Sequence, residues 1–197
     1  MKPLKQFLII ASLLLLSNSI FCQAKKEEPA LAGVYVTLPD FQAGKLSYDI
    51  DCAAEKQKIK LHDFFSKPYF DVYYKGEKHT LQKKEVYAYR NCNNKTFRFF
   101  NNEEYQLAES GKISIYLLEQ AKAEGKAFVI VNVYYFSATP DGEIKSLILE
   151  NLKKAFPENH KFHDALDQTF KGNIDVSDYD SFHKMYKVNH IYEMSLQ

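Results

Sequence analysis

Ala127–Phe136 reads AFVIVNVYYF, and this stretch decides the fold. Phe128, Ile130, Tyr134 and Phe136 fall on one face of an extended chain, Val129, Val131, Val133 and Tyr135 on the other. Successive side chains of a strand point to opposite faces, and a strand apolar on both belongs inside a sheet system. A central strand is expected here, with Asn132, its only amide, needing partners if buried.

Upstream the chain keeps to strand texture. Tyr105–Ala108 and Lys112–Leu118 flank Glu109-Ser110-Gly111 as one hairpin, followed by a loop at Ala121–Gly125. Val86–Cys92 and Lys95–Phe100 flank Asn93-Asn94, and asparagine tolerates the positive φ of two-residue hairpin turns. That register sets Ala88 against Phe99 and Arg90 against Phe97 on one side, with Tyr89 against Arg98 on the other. Tyr69–Tyr74 and Lys78–Gln82 flank Lys75-Gly76-Glu77 as a further hairpin with a glycine turn. Lys58–Asp63 reads as a short strand. Leu46, Tyr48, Ile50 and Cys52 alternate with Ser47, Asp49 and Asp51, a half-buried strand whose cysteine points inward. Val34–Leu38 is the first strand, ended by Pro39-Asp40.

Downstream the period changes. Ile144, Leu147, Ile148, Leu152, Ala155 and Phe156 fall at helical spacing and Pro157 closes the segment. Asn159 can cap a second helix with Phe162, Ala165, Leu166 and Phe170 on one stripe, ended by Gly172. Ser177 and Asp180 have capping-box spacing for a third, striped by Phe182, Met185, Tyr186, Asn189 and Glu193. Strands first and helices last give the α+β class. The expectation is an antiparallel sheet or partly open β-barrel over about 34–136, then two or three C-terminal helices over about 144–194.

The amino terminus sets the compartment. Lys2 and Lys5 precede an apolar run from Phe7 to Leu16, broken by Ser17-Asn18-Ser19. A basic segment, a short apolar run and small residues mark a secretory signal peptide, assigned to residues 1–24 with cleavage after Ala24. The run is too short to span a bilayer, which takes about 20 apolar residues. Residues 25–33 then form a tether, its charged part at Lys25–Pro29, and 34–197 one domain. The competing reading anchors the chain by lipid at Cys22; bulky Phe21, where lipoprotein processing wants a small residue, argues against it. The mature protein is expected to be periplasmic or secreted, without a transmembrane span.

Cleavage leaves Cys52 and Cys92, and an even pair in an exported domain reads as one disulfide. The rival, a nucleophilic or redox thiol, lacks a CxxC spacing. Charge excludes one class of partner. Lys2 and Lys5 are the only charges of the signal, so the mature chain has 24 basic against 25 acidic residues, no footprint for nucleic acid. Aromatics are plentiful, 14 Tyr and 15 Phe with no Trp, a composition that favours strands.

Few residues suggest chemistry. His160 and His163 stand one helical turn apart with Glu158 and Asp167 near, a set that could hold zinc in a metal-binding protein or metal-dependent hydrolase. The plain alternative is a solvated helix face. His183 and His190, seven apart, would complete a four-histidine group if the two helices pack. Asp175, Asp178 and Asp180 lack the EF-hand order and read as a helix entry. Asn94-Lys95-Thr96 fits a glycosylation sequon, but the turn explains Asn94. Tyr87, Tyr89, Arg90 and Arg98 could form a ligand patch for sugar or peptide, a weak carbohydrate case without Trp. No GxSxG elbow, glycine-rich phosphate loop or Ser-His-Asp signature is present.

Glu150–Leu166 (ENLKKAFPENHKFHDAL), together with Val86–Cys92 (VYAYRNC), resembles a group of small exported bacterial proteins of unknown function. The resemblance implies export and a single domain, and carries no activity. The function expected is a non-enzymatic cell-envelope or secreted binding module with a protein or glycan partner.

Overall fold

The computed structural model describes residues 31–54, 58–62, 67–172 and 174–197. The signal peptide, Cys22, the Lys25–Pro29 tether and Asp63 lie outside them. Among the described residues an eight-stranded antiparallel sheet forms the body and does not close into a barrel. It runs β11 (Lys145–Ser146), β10 (Ala127–Ser137), β9 (Ser114–Glu124), β8 (Glu103–Glu109), β7 (Thr96–Phe100), β6 (Ala88–Arg90), β1 (Leu31–Tyr35), β2 (Ile50–Asp51). A second sheet contains β3 (Lys58–Lys60), β4 (Tyr69–Tyr74) and β5 (Glu77–Gln82). Helix α1 (Leu38–Gln42) follows the first strand, and α2 (Leu149–Ala155), α3 (His160–Thr169) and α4 (Lys187–Ser195) come last. A two-stranded ribbon, β12 (Tyr179–Asp180) with β13 (Met185–Tyr186), leads into α4.

The expected α+β class stands, with several local corrections. The first strand begins at Leu31, inside the expected tether, and Pro39-Asp40 opens a helix instead of only ending a strand. Thr37 caps that helix, its Oγ1 accepting from the Asp40 N–H at 3.2 Å, and proline suits a first turn because the N–H it lacks would have had no acceptor within the helix. Gly33 is required because a Cβ there would stand 2.3 Å from the Tyr48 carbonyl oxygen, the closeness that lets 46–49 cross over β1. Of the alternating stretch 46–52 only Ile50–Asp51 pairs as strand.

The Val86–Phe100 hairpin is one residue out of the expected register. Ala88 pairs with Arg98, Tyr89 with Phe97 and Arg90 with Thr96. The loop has three residues, not two: the Asn91 N–H bonds the Lys95 carbonyl at 2.9 Å, and the Asn94 N–H returns to the Asn91 carbonyl at 3.0 Å. Asn94 takes φ 58°, and the Asn91 side chain accepts from the N–H groups of Asn93 and Lys95. A type I turn followed by one left-handed residue makes such a loop, and a one-residue slip moves side chains to the opposite face.

Ala121–Glu124 is strand, not loop. Glu124 pairs with Ala127 across Gly125-Lys126, with Gly125 at φ 61°. The strand Ala127–Ser137 is not central. Among the described residues only the two-residue β11 lies beyond it, and Asn132 is exposed.

One face of the large sheet carries both cores. At one end Ile115 and Phe136 pack with Leu152 of α2, Phe162 and Leu166 of α3 and Ile191 of α4. At the other, Val34, Tyr89 and Phe99 pack against Phe70 and Val72 of the small sheet. Each such fully buried side chain contributes about 1.5–3 kcal/mol. Asn159 caps α3 as expected, its Oδ1 accepting from the Phe162 N–H at 3.0 Å. Ile144 and Leu147 are buried from an extended segment, and α2 starts only at Leu149. The capping-box reading at Ser177 fails: the Asp180 carboxylate accepts from the N–H groups of Phe182 and His183, closing a ribbon turn, and Phe182 is 86% exposed.

Candidate functional site

The face of the sheet opposite the cores carries the site. Alternation puts Ala88, Arg98 and Tyr105 on that side, with Tyr116 and Ser137 further along. Tyr87 joins them through an irregularity in which its N–H donates to both the Tyr35 and Val36 carbonyls, at 3.1 and 3.0 Å. Its ring meets Phe41 of α1 at 5.3 Å between centroids, and its Oη donates to the Pro140 carbonyl at 2.8 Å.

Arg98 is 7% exposed and held on three sides. One terminal nitrogen donates to Tyr116 Oη at 3.2 Å, the other to the Asp141 main-chain carbonyl at 2.8 Å. The guanidinium carbon lies 5.6 Å from the Tyr87 ring centre and 5.9 Å from that of Tyr116, in reach of cation–π attraction. Tyr116 Oη is fixed in turn by Ser137 Oγ at 3.1 Å. The Asp141 carboxylate turns to Thr139, whose hydroxyl donates to it at 3.1 Å. Among the described residues no carboxylate comes within ion-pair distance of Arg98, whose neighbours are neutral oxygens and rings. Burial drives the Tyr87 phenol up to about 12, reinforced by Tyr116 and Asp141, and the Arg98 cation offsets only part of this.

A pocket of about 310 Å³ opens beside this cation, lined by Thr37, Lys84, Glu85, Val86, Tyr87, Arg98 and Asp141 among others. Lys83 also borders it but is satisfied, donating to Glu104 Oε1 at 3.0 Å and to the Asn102 carbonyl at 2.9 Å. A full positive charge is thus placed out of water, with aromatic walls and hydrogen-bonding rims.

The expected four-residue patch divides in three. Tyr87 and Arg98 share the pocket, whereas Tyr89 is 3% exposed on the core face, stacked on Phe97 at 5.0 Å with its Oη on Glu104. Arg90 Nε donates to the Leu31 carbonyl at 2.9 Å and braces the first strand. The register slip accounts for Tyr89, which stands on the opposite face from Arg98; Arg90 shares the face of Arg98 but is turned to the first strand. Cys52 and Cys92 are bonded, with Cα atoms 5.6 Å apart.

The histidines are placed in two separate pairs. The rings of His160 and His163 lie 5.9 Å apart at the start of α3, and His163 Nε2 is engaged with the Phe156 carbonyl at 3.0 Å. His183 and His190 stack at 3.9 Å, and His183 Nδ1 meets Asp180 Oδ2 at 2.7 Å. That contact, with the His183 backbone N–H, holds the Asp180 carboxyl down at about 2. Asp175 receives the Ser177 hydroxyl and Asp178 pairs with Lys187. Among the described residues no three or more His, Cys, Asp or Glu side chains converge as a metal site.

Sequence reasoning missed a buried polar knot in the small sheet. Asp71 is 2% exposed and accepts from His62 Nε2 at 2.7 Å, Lys78 Nζ at 3.0 Å and Thr80 Oγ1 at 2.7 Å. Burial pushes its carboxyl up, but the bonds from Thr80, His62 and Lys78 win and hold it at about 2. The signal was a lone carboxylate inside Tyr69–Tyr74, a run otherwise of aromatics and valine. Thr80 donates to the aspartate and not to the histidine, so the knot has the form of a structural clamp and not of a nucleophile-base pair.

No protein-family model, curated protein or solved structure matches the chain.

Proposed function

We propose that the protein is an exported, non-enzymatic binding module, periplasmic or secreted in a bacterium, whose ligand presents a carboxylate to Arg98. One observation carries this reading: a guanidinium 7% exposed, lining a pocket of about 310 Å³, with no carboxylate partner among the described residues. An unpaired buried charge costs several kcal/mol, and a bidentate carboxylate is the group that relieves it best. Glu85 and Asp141 on the same walls suit a ligand that also offers hydroxyl or ammonium donors. The pocket has room for a small hydroxylated or amino-substituted acid, or the end unit of a longer chain. Export rests on the Lys2-to-Ala24 pattern, and the Cys52–Cys92 bond suits an oxidising compartment.

The test is thermal shift and calorimetry with glucuronate and glycylglycine as probes, glucose and choline as controls. A ligand at a hundredfold its Kd adds about 2.7 kcal/mol of stability. A saturable rise in Tm with either acid, absent with both controls and lost in Arg98→Gln, supports the reading. A Tm unmoved by either acid at tens of millimolar refutes it, as does a rise that survives Arg98→Gln.

A further inference from the structure

The hairpin β9–β10 extends past the body of the sheet. β8 registers with β9 at Ile115, Tyr116 and Leu117, whereas β9 and β10 stay paired out to Glu124 and Ala127. Among the described residues the outer edge of β10 is covered only at its carboxyl end: β11 pairs with Tyr135 and Phe136, and the Leu147 N–H donates to the Tyr134 carbonyl at 3.0 Å. From Ala127 to Val133 no strand lies beside that edge among the described residues.

Main-chain groups of a strand point alternately to its two neighbours. The Tyr134 carbonyl points outward, so the N–H and C=O of Asn132, Ile130 and Phe128 point outward as well. The same residues project side chains from the arm, and Phe128 and Ile130 are 77% and 67% exposed, beside Ala123 and Ala121 of β9. Monomeric sheets blunt an open edge with lysine, proline or a bulge. Ala127–Val133 has no charge, no proline and an unbroken register with β9.

Ile130 is the midpoint of the free stretch, with Phe128 and Asn132 the outward residues on either side of it. A second copy laid antiparallel across a two-fold axis at Ile130 sets Phe128 opposite Asn132, Ile130 opposite Ile130 and Asn132 opposite Phe128. Every outward group then finds a partner, in about six hydrogen bonds. A two-fold axis brings each central charge close to its own copy, so an uncharged edge is what self-pairing needs and like charges there oppose it. Each Phe128 also comes within diagonal reach of the other copy's Ile130.

We propose that the Ala127–Val133 edge is a self-association site, where two copies join across Ile130 into one continuous sheet. This surface is independent of the Arg98 pocket. A contact of one strand is smaller than the roughly 800 Å² per partner of a standard interface, so the dimer is weak and concentration-dependent.

Sedimentation velocity on the folded chain, from about 1 to 200 μM, is expected to show a reversible monomer–dimer equilibrium in the tens of micromolar. Ile130→Lys, which sets two ammonium groups on the axis, and Ile130→Pro, which removes one outward N–H and none of those facing β9, should each weaken it tenfold or more. Far-UV circular dichroism checks that both variants fold. Register is read with a bis-maleimide of about 8 Å span: Ile130→Cys lies about 5.5 Å from its copy and crosslinks, whereas Asn132→Cys lies about 14 Å from its own and does not. A monomer at every concentration overturns the proposal. So does a dimer indifferent to Ile130→Lys, or equal crosslinking at both positions.

Discussion

Replacing Asp71 with asparagine tests the clamp in the small sheet. The carboxyl sits at about 2 against an ordinary 3.8, so the folded state favours its charged form by nearly two pKa units, a ceiling of about 2.5 kcal/mol. Lys78 is 52% exposed and its share is screened by water, so about 2 kcal/mol is expected. The sign follows from the depressed pKa: the stabilisation is fully present above 3.8 and is lost as pH falls through about 2. Urea unfolding of wild type and Asp71→Asn, followed by tyrosine fluorescence, should differ by about 2 kcal/mol at pH 7. Near pH 2 the two should converge, and taking the difference cancels the other carboxylates. A gap that stays constant from pH 7 to 2.5, or widens as pH falls, would mean that the Asp71 charge is not what holds His62, Lys78 and Thr80.

Two further predictions concern stability. The Cys52–Cys92 bond closes a loop of 40 residues, so Cys52→Ser with Cys92→Ser should lower the unfolding free energy by about 4 kcal/mol in urea, and a loss under 1 would sink the chain-entropy account. Asn189 is 3% exposed, accepts from the Ile113 N–H at 3.1 Å and donates to the Ile113 carbonyl at 2.9 Å, bracing the turn before β9. Asn189→Leu strands both main-chain groups and should cost about 2–4 kcal/mol, whereas an unchanged Tm would show that water replaces the amide.

Period and turn chemistry made much of the fold legible. The Asn159 cap, the α3 stripe through Phe162 and Leu166 and the Lys75-Gly76 turn are local, and local rules suffice for them. The α+β order was equally open to reading, because the strand period gives way to the helical one after Ser137. Where two readings competed locally, the sequence misled. Asp180 fits a helix cap by spacing but closes a ribbon turn, and Ile144 and Leu147 fit a helix stripe although tertiary packing buries them from an extended segment.

The candidate site was half legible. Tyr87 and Arg98 are near in sequence and chemically conspicuous, but the side of the sheet that Arg98 faces depends on one residue of loop length at Cys92-Asn93-Asn94, and that of Tyr87 on the irregularity at its N–H. The sequence by itself determined the order of strands before helices, most of the strands, the pairing of the two cysteines and the balanced charge, because these follow from neighbours along the chain and from counting. Only the tertiary structure decided that, among the described residues, Arg98 is buried without a carboxylate, Asp71 gathers three partners, and Phe128 and Ile130 stand uncovered on an open edge. Those facts depend on register and strand order, which long-range packing sets, and a single slip exchanges every inward side chain for an outward one.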